Sequence, residues 1–216
     1  DNNIVIPGFI DSHFHLKNYG KRQDMINLKQ INSIDEISRL VKAKISNNPD
    51  INWIEGFGWD HNLWGGQYPD SNVLNSISDQ RPIVLTRIDG HSMWVNDIAI
   101  NRTGHSANEL NSISGGKVIN DCILVDNSMG PVMKMIPDDN IQDIKRWIRI
   151  AVDNANRMGI TNVHDAWQDT NIITAIQNLI DNDEFNLRCY GMLGSAHTNL
   201  LDEFFTNGHL VSNLYI

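Results

Sequence analysis

The chain has 216 residues, of which 41% are hydrophobic and 20% charged, a composition typical of a folded globular protein. Its 26 acidic residues exceed its 17 basic ones, and the net charge of −9 argues against a general nucleic-acid binder, which needs a basic face. Two cysteines far apart predict no disulfide framework, and no apolar run approaches the roughly 20 residues that cross a bilayer. We therefore expect a cytoplasmic location, with neither nucleic acid nor membrane as partner.

The first predicted element is a short strand over residues 4–10, rich in β-branched and aromatic side chains. His13 and His15 follow it, and in extended chain residues two apart point to the same face, so both imidazoles can reach one ion. Neutral imidazole binds Zn²⁺ and related metals well, and α/β barrels place their sites at the carboxyl ends of strands. On spacing alone, a pair of surface or capping histidines explains the pattern equally well.

A long stretch of mixed elements comes next, over residues 20–136. Ser33 followed by Glu36 is typical of the capping box that begins a helix. The remaining pattern predicts strands over residues 53–60, 82–88 and 117–119 and a short helix over residues 93–102.

This stretch holds most of the candidate substrate-binding residues. Trp59 and Asp60 lie among glycines and aromatic residues, a pattern that fits a pocket wall or an aromatic mini-core under a loop. Arg87 follows a buried strand. Its position fits either the rim of a site or one half of an ion pair with Asp89. The ion pair is slightly favoured, but His91 and Trp94, which come shortly after Arg87, keep a role in the site open.

The last third of the sequence alternates strands and helices. A helix is predicted over residues 138–158, with Asp138 and Asp139 in its first turn and Gly159 at its end. The following β-α-β-α-β order is typical of a parallel sheet, with the elements at residues 160–166, 171–182, 186–193, 199–207 and 212–216. His164 lies at the end of the first of these strands. It is either a site residue or a strand-end residue that bonds to nearby backbone, and the two explanations are about equally good.

The order of these parts predicts an α/β chain in three segments. Residues 1–19 carry the first strand and the histidine pair, residues 20–136 form an insertion, and residues 137–216 contain the regular units. The sequence stops inside a predicted strand at Ile216 with no helix to cover it, so we expect a piece of a longer protein. Self-association or the remaining chain is expected to cover the exposed strand edge.

Several of these segments together resemble the amidohydrolase superfamily, and within it the amidohydrolase-3 family, which includes YtcJ-like proteins and N-substituted formamide deformylases. They are VIPGFIDSHFH at residues 5–15, GWD at 58–60, Pro69, RIDGH at 87–91, WVN at 94–96 and GITNVHD at 159–165. The resemblance implies a distorted TIM barrel, present here in part, with a long insertion after strand 1. It also implies one or two divalent metal ions, with Zn²⁺ the first expectation.

The resemblance assigns His13 and His15 to the two metal ligands of strand 1. The family's further ligands, a Lys or equivalent on strand 4, His residues on strands 5 and 6 and an Asp on strand 8, have no counterpart here. The catalytic residues are therefore expected beyond Ile216.

The activity that the resemblance implies is hydrolysis of non-peptide carbon–nitrogen bonds in small amide-type substrates by metal-activated water. A deaminase or lactonase using the same metal chemistry is the alternative within the superfamily. A barrel that keeps the histidine pair but only binds a ligand is the alternative outside enzymology.

Overall fold

The computed structural model describes residues 4–216 as two compact units. The first unit combines the chain up to Asp24 with Asp139–Ile216, and the second unit is Met25–Asp138.

The strands and helices are numbered in chain order through both units. The strands are β1 (Phe9–Phe14), β2 (Ile26–Asn27), β3 (Ile54–Trp59), β4 (Ile83–Arg87), β5 (Ser92–Val95), β6 (Gly116–Ile119), β7 (Ile123–Asp126), β8 (Ile160–Gln168) and β9 (Arg188–Leu193). The helices are α1 (Leu16–Asp24), α2 (Ile34–Asn47), α3 (Ser71–Asn75), α4 (Asp97–Asn101), α5 (Ala107–Asn111), α6 (Gly130–Met133), α7 (Ile141–Arg157), α8 (Thr170–Asp181) and α9 (Thr198–Asn207). Short 3₁₀ turns occupy His61–Trp64 and Asn127–Met129.

The first unit is built on a parallel sheet in the order β1-β8-β9. Helix α8 connects β8 to β9, which is the crossover that parallel neighbours require. Helices α1, α7 and α8 share a buried apolar cluster with the sheet, including Leu16, Ile148, Val163, Ile176 and Leu187. The fold is therefore mixed α/β, as the sequence predicts, and its assignment to part of a barrel with an insertion stays a prediction.

The strand boundaries of the first unit differ from the prediction at both ends of the chain. The first strand begins at Phe9 rather than at residue 4, and Pro7, which lacks an N–H group for the ladder, lies in the segment before it. The strand predicted at residues 212–216 is reduced to one parallel bridge between Cys189 and Tyr215.

Helix α7 begins three residues later than predicted because Asn140, not an aspartate, caps it. The Asn140 side chain accepts hydrogen bonds from the backbone N–H groups of Gln142 and Asp143, each at 3.0 Å. Asp139 lies outside the helix and pairs with Lys17 and Lys21 of α1. The predicted end is confirmed, since Gly159 has a φ of +79° directly after the helix.

The second unit contains a mixed sheet in the order β2-β3-β4-β5-β7-β6. Strands β2, β3 and β4 are parallel, and the remaining pairs are antiparallel. Two apolar clusters, one containing Ile37, Trp59 and Leu85 and the other Val95, Ile100 and Leu124, form its core.

Two predictions for the second unit are wrong in their details. The helix predicted over residues 93–102 is a buried strand, β5, followed by the single turn of α4, because Ser92–Val95 pairs with both β4 and β7. Ser33 is the N-cap residue of α2 as predicted, and only the capping box is missing, because its side chain makes no capping hydrogen bond. Glu36 pairs instead with Arg39 one turn along the helix.

Candidate functional site

The two histidines of the first motif lie side by side at the carboxyl end of β1. His13 is the fifth residue of the strand, and His15 follows the strand directly. Their ring centroids are 5.0 Å apart and the rings are nearly perpendicular, at 85°. His13 is exposed, and its backbone N–H donates to the Asp11 carboxylate at 3.0 Å.

The ring of His15 is fixed by the end of the neighbouring strand, β8. Its Nδ1 lies 3.1 Å from the carbonyl oxygen of Ala166. A carbonyl oxygen only accepts hydrogen bonds, so Nδ1 carries a proton, and in the neutral imidazole Nε2 is then the nitrogen with the free lone pair. The indole of Trp167 stacks on the same imidazole, with centroids 5.4 Å apart and an interplanar angle of 25°.

Asp165 also belongs to this site, although the sequence predicts only His164 of the pair at residues 164–165 as a site residue. It is only 2% exposed, and its carboxylate accepts hydrogen bonds from the backbone N–H of Leu16 at 2.6 Å and from Gln168 Nε2 at 2.8 Å. Burial raises the pKa of Asp165, and these two hydrogen bonds oppose the rise. The His-Asp pair at the strand end was visible in the sequence, but the pattern did not show which of the two side chains turns inward.

His164, the candidate before it, contacts the next strand. Its ring lies 5.4 Å from that of Tyr190, its partner in the β8–β9 register. The structure thus places His164 beside Tyr190 of β9, and its substrate-binding role stays a prediction.

In the second unit, polar groups gather where the parallel strands β3 and β4 end. Arg87 lies 3.0 Å from the Asp60 carboxylate and also pairs with Asp89, the ion pair that the sequence left open. Its Nε–H donates to His61 Nδ1 at 3.3 Å. Burial would raise the pKa of Asp60, but the amide of Asn62 and the charge of Arg87 outweigh it and lower that pKa. Burial and the charge of Arg87 together lower the pKa of His61.

The two tryptophan candidates are core residues of the second unit. Trp59 and Trp94 are fully buried with ring centroids 6.3 Å apart. Their indole N–H groups donate to the carbonyl oxygens of Leu85, at 2.6 Å, and Asp70, at 3.2 Å. The aromatic mini-core is therefore present.

His91 differs from the two tryptophans, because its side chain is exposed and lies 2.9 Å from the Asp126 carboxylate. A role for any of these second-unit residues in substrate binding stays a prediction.

The predicted site residues are divided between the two units. His13, His15 and His164 belong to the first, and the other five belong to the second. Within residues 4–216, no group of three or more His, Cys, Asp or Glu side chains is placed to bind a single metal ion. The candidate metal ligands in the described part of the chain are therefore the histidine pair.

Comparison with known proteins decides the family. A family model described as the amidohydrolase family matches residues 1–215. The chain belongs to this family. Among relatives, this amidohydrolase chain is 29% identical over 168 residues to Protein LONG AFTER FAR-RED 3 of Arabidopsis thaliana, over 75% of the chain. It is 27% identical over 168 residues to YtcJ of Bacillus subtilis (strain 168), over 74% of the chain.

A solved structure supports the same fold. The amidohydrolase chain matches an uncharacterised metal-dependent hydrolase of Pyrococcus horikoshii OT3 with a TM-score of 0.74 at 22% identity, over 97% of the chain and 41% of that protein. The segments matched in the two sequence relatives cover only 29% and 32% of their lengths. In the part of the amidohydrolase chain that the structure describes, no helix is both long and apolar enough to cross a membrane.

Proposed function

We propose that this chain supplies two metal ligands, His13 and His15, to a metal-dependent hydrolase of non-peptide carbon–nitrogen bonds in small amide-type substrates. The observation that carries the proposal is the pairing of these imidazoles at the carboxyl end of a parallel strand, with the His15 ring oriented by Ala166. Membership of the amidohydrolase family and the likeness to a metal-dependent hydrolase support it. The parallel β1-β8-β9 sheet fits part of the wall of a TIM barrel.

The donor set fits a divalent metal ion. Two imidazoles that bind one tetrahedral ion at Zn–N distances of 2.0–2.1 Å have ring centroids about 5 Å apart. The observed separation of 5.0 Å between His13 and His15 agrees with this spacing. The hydrogen bond from His15 Nδ1 leaves Nε2 as the ligand atom, which is the tautomer that metal-binding histidines commonly adopt. Two ligands hold such an ion weakly, so we place the further ligands outside residues 4–216.

When bound, a divalent ion lowers the pKa of a water molecule and polarises a substrate carbonyl. The role of this chain is to hold the His13 and His15 rings 5.0 Å apart, with His15 oriented by the carbonyl of Ala166. We further propose that His164 offers a polar group to the substrate, and roles for Asp60, Arg87 and His91 in substrate binding stay predictions. Trp59 and Trp94 pack on each other in the core of the second unit, and their role in substrate binding also stays a prediction.

The test compares metal content and turnover in the full-length gene product and its His13→Ala variant. We expect His13→Ala to lose most of its zinc, measured by mass spectrometry of the metal, and most of its activity, with an unchanged unfolding midpoint. His105→Ala is the matched control, since His105 is an exposed loop residue of the second unit. Full metal content and turnover in His13→Ala would refute the ligand assignment.

A substrate panel tests the type of bond. Formamides and other amides, amino-substituted heterocycles and lactones are supplied to the same protein. We expect the amides to be turned over with the highest kcat/KM. Faster turnover of amino-heterocycles or lactones would replace the amide assignment by a deaminase or lactonase.

A further inference from the structure

The end of β8 contacts the histidine motif through consecutive residues. Ala166 accepts the hydrogen bond from His15 Nδ1, and Trp167 stacks on the same ring. Asp165, the residue before them, accepts from the backbone N–H of Leu16, which directly follows His15. Residues 165–167 therefore hold His15 at its ring and at its adjoining main chain.

The bond from Leu16 to Asp165 is short, at 2.6 Å, and the carboxylate that accepts it is almost fully buried. A buried carboxylate is costly unless its oxygens are hydrogen-bonded, and both oxygens of Asp165 are hydrogen-bonded. Its second oxygen is used by Gln168, whose own amide oxygen accepts from the Tyr215 hydroxyl. One oxygen of the carboxylate is thus held by a buried chain of hydrogen bonds through Gln168 to Tyr215, and the other oxygen accepts from Leu16.

A simpler interpretation is that Asp165 only caps α1, which begins at Leu16. A cap on the helix requires an acceptor near Leu16, and any exposed Ser, Asn or Asp before the helix could provide one. Here the acceptor comes from β8, 149 residues away in sequence, and the neighbouring carbonyl of Ala166 acts on the His15 ring. This arrangement couples the position of the helix start to the orientation of the imidazole.

We propose that Asp165 is a positioning residue for His15. By holding the N–H of Leu16, it fixes the main chain at His15 so that Nδ1 meets the carbonyl of Ala166, which in the neutral ring leaves the lone pair on Nε2. This inference rests on the proposed function for the ligand role of His15. The tautomer of His15 is a property of the metal-free chain and does not depend on that role.

The first experiment measures the His15 tautomer in the metal-free protein by ¹⁵N NMR of the imidazole nitrogens. In the wild type we expect Nδ1 to carry the proton. Asp165→Ala leaves the Leu16 N–H without its acceptor, and we expect a mixture of the two neutral tautomers. Asp165→Asn, which keeps an acceptor oxygen and the same volume, is expected to retain the wild-type tautomer.

The matched control is Asn140→Ala, which removes the cap of α7 in the same unit and lowers stability at a site that does not contact His15. We expect it to leave the His15 tautomer unchanged, so that loss of stability alone does not account for the effect of Asp165→Ala. A wild-type tautomer in Asp165→Ala would overturn the positioning role. If Asp165→Ala fails to fold, Asp165→Asn decides, because loss of the Nδ1–H tautomer in the folded Asn variant also contradicts the proposal.

The second experiment measures Zn²⁺ affinity of the full-length gene product by competition with a chromophoric chelator. Loss of a residue that orients a metal-binding histidine typically weakens the metal about 10–100-fold. We expect a loss in this range for Asp165→Ala and wild-type affinity for Asn140→Ala. If Asp165→Ala changes the tautomer but leaves the Zn²⁺ affinity unchanged, Asp165 orients the His15 ring without affecting metal binding, and its role in metal binding is refuted. Unchanged zinc content in His13→Ala, by contrast, would refute the proposed function and leave the tautomer result standing.

Discussion

Trp167 is a bulky residue with an unusual backbone conformation. It has a φ of +62°, in the left-handed region that bulky residues rarely adopt, and its side chain is 70% exposed. The β8–β9 register shifts between Asp165 and Gln168, so this conformation belongs to a bulge. Its ring stacks on His15, which links the strained position to the candidate metal ligand.

Substitution with alanine and with glycine measures this strain, because both remove the ring and differ only in the cost of the left-handed backbone. We expect Trp167→Gly to be more stable than Trp167→Ala by about 1 kcal/mol in urea unfolding. At Asp153, an exposed interior position of α7, the same pair should show the opposite order, since glycine costs about 1 kcal/mol relative to alanine in a helix. The same order at both positions would contradict a strained Trp167.

Helices α1 and α7 approach each other closely at Gly20. A Cβ atom built there would lie 2.8 Å from the Cα of Trp147 and closer still to its carbonyl group. Alanine normally stabilises a helix relative to glycine, but here the added methyl meets backbone that cannot move aside.

We therefore expect Gly20→Ala to destabilise the protein by about 1–3 kcal/mol, read from the urea midpoint. Gly130→Ala is the control, because Gly130 has a helical φ of −53° at the start of α6 and a Cβ there would have open space. This variant should be neutral or slightly stabilised. A Gly20→Ala protein as stable as the wild type would show that the two helices separate without cost.

The elements that the sequence predicts well are those whose signal is local. The apolar face of α7 repeats with the helical period, and Ile144, Trp147, Ile148 and Ala151 are buried as that period requires. Strand β5 was mistaken for a helix because its burial comes from pairing with β4 and β7, which its own four residues do not reveal. Likewise, the spacing of His13 and His15 shows two candidate ligands, whereas their partners on β8 come from about 150 residues away.

At the scale of the whole molecule, each unit has its own apolar core and its own buried cysteine. Cys189 belongs to the cluster of the first unit, and Cys122 to a cluster of the second. Burial raises the pKa of Cys122 to about 12, with nearby aspartates adding to the rise, and burial likewise raises the pKa of Cys189. Since the thiolate is the reactive form, neither thiol should react in the folded protein.

The two thiols can therefore report separately on the unfolding of the two units. We expect iodoacetamide at pH 8 to label neither cysteine in buffer and to label each at its own urea concentration, quantified by mass spectrometry of the two peptides. Ser46→Cys, on the exposed face of α2, should be labelled at once and confirms that the reagent is active. A single shared midpoint for Cys122 and Cys189 would mean that the units unfold as one cooperative body, and labelling of either thiol without urea would contradict its burial.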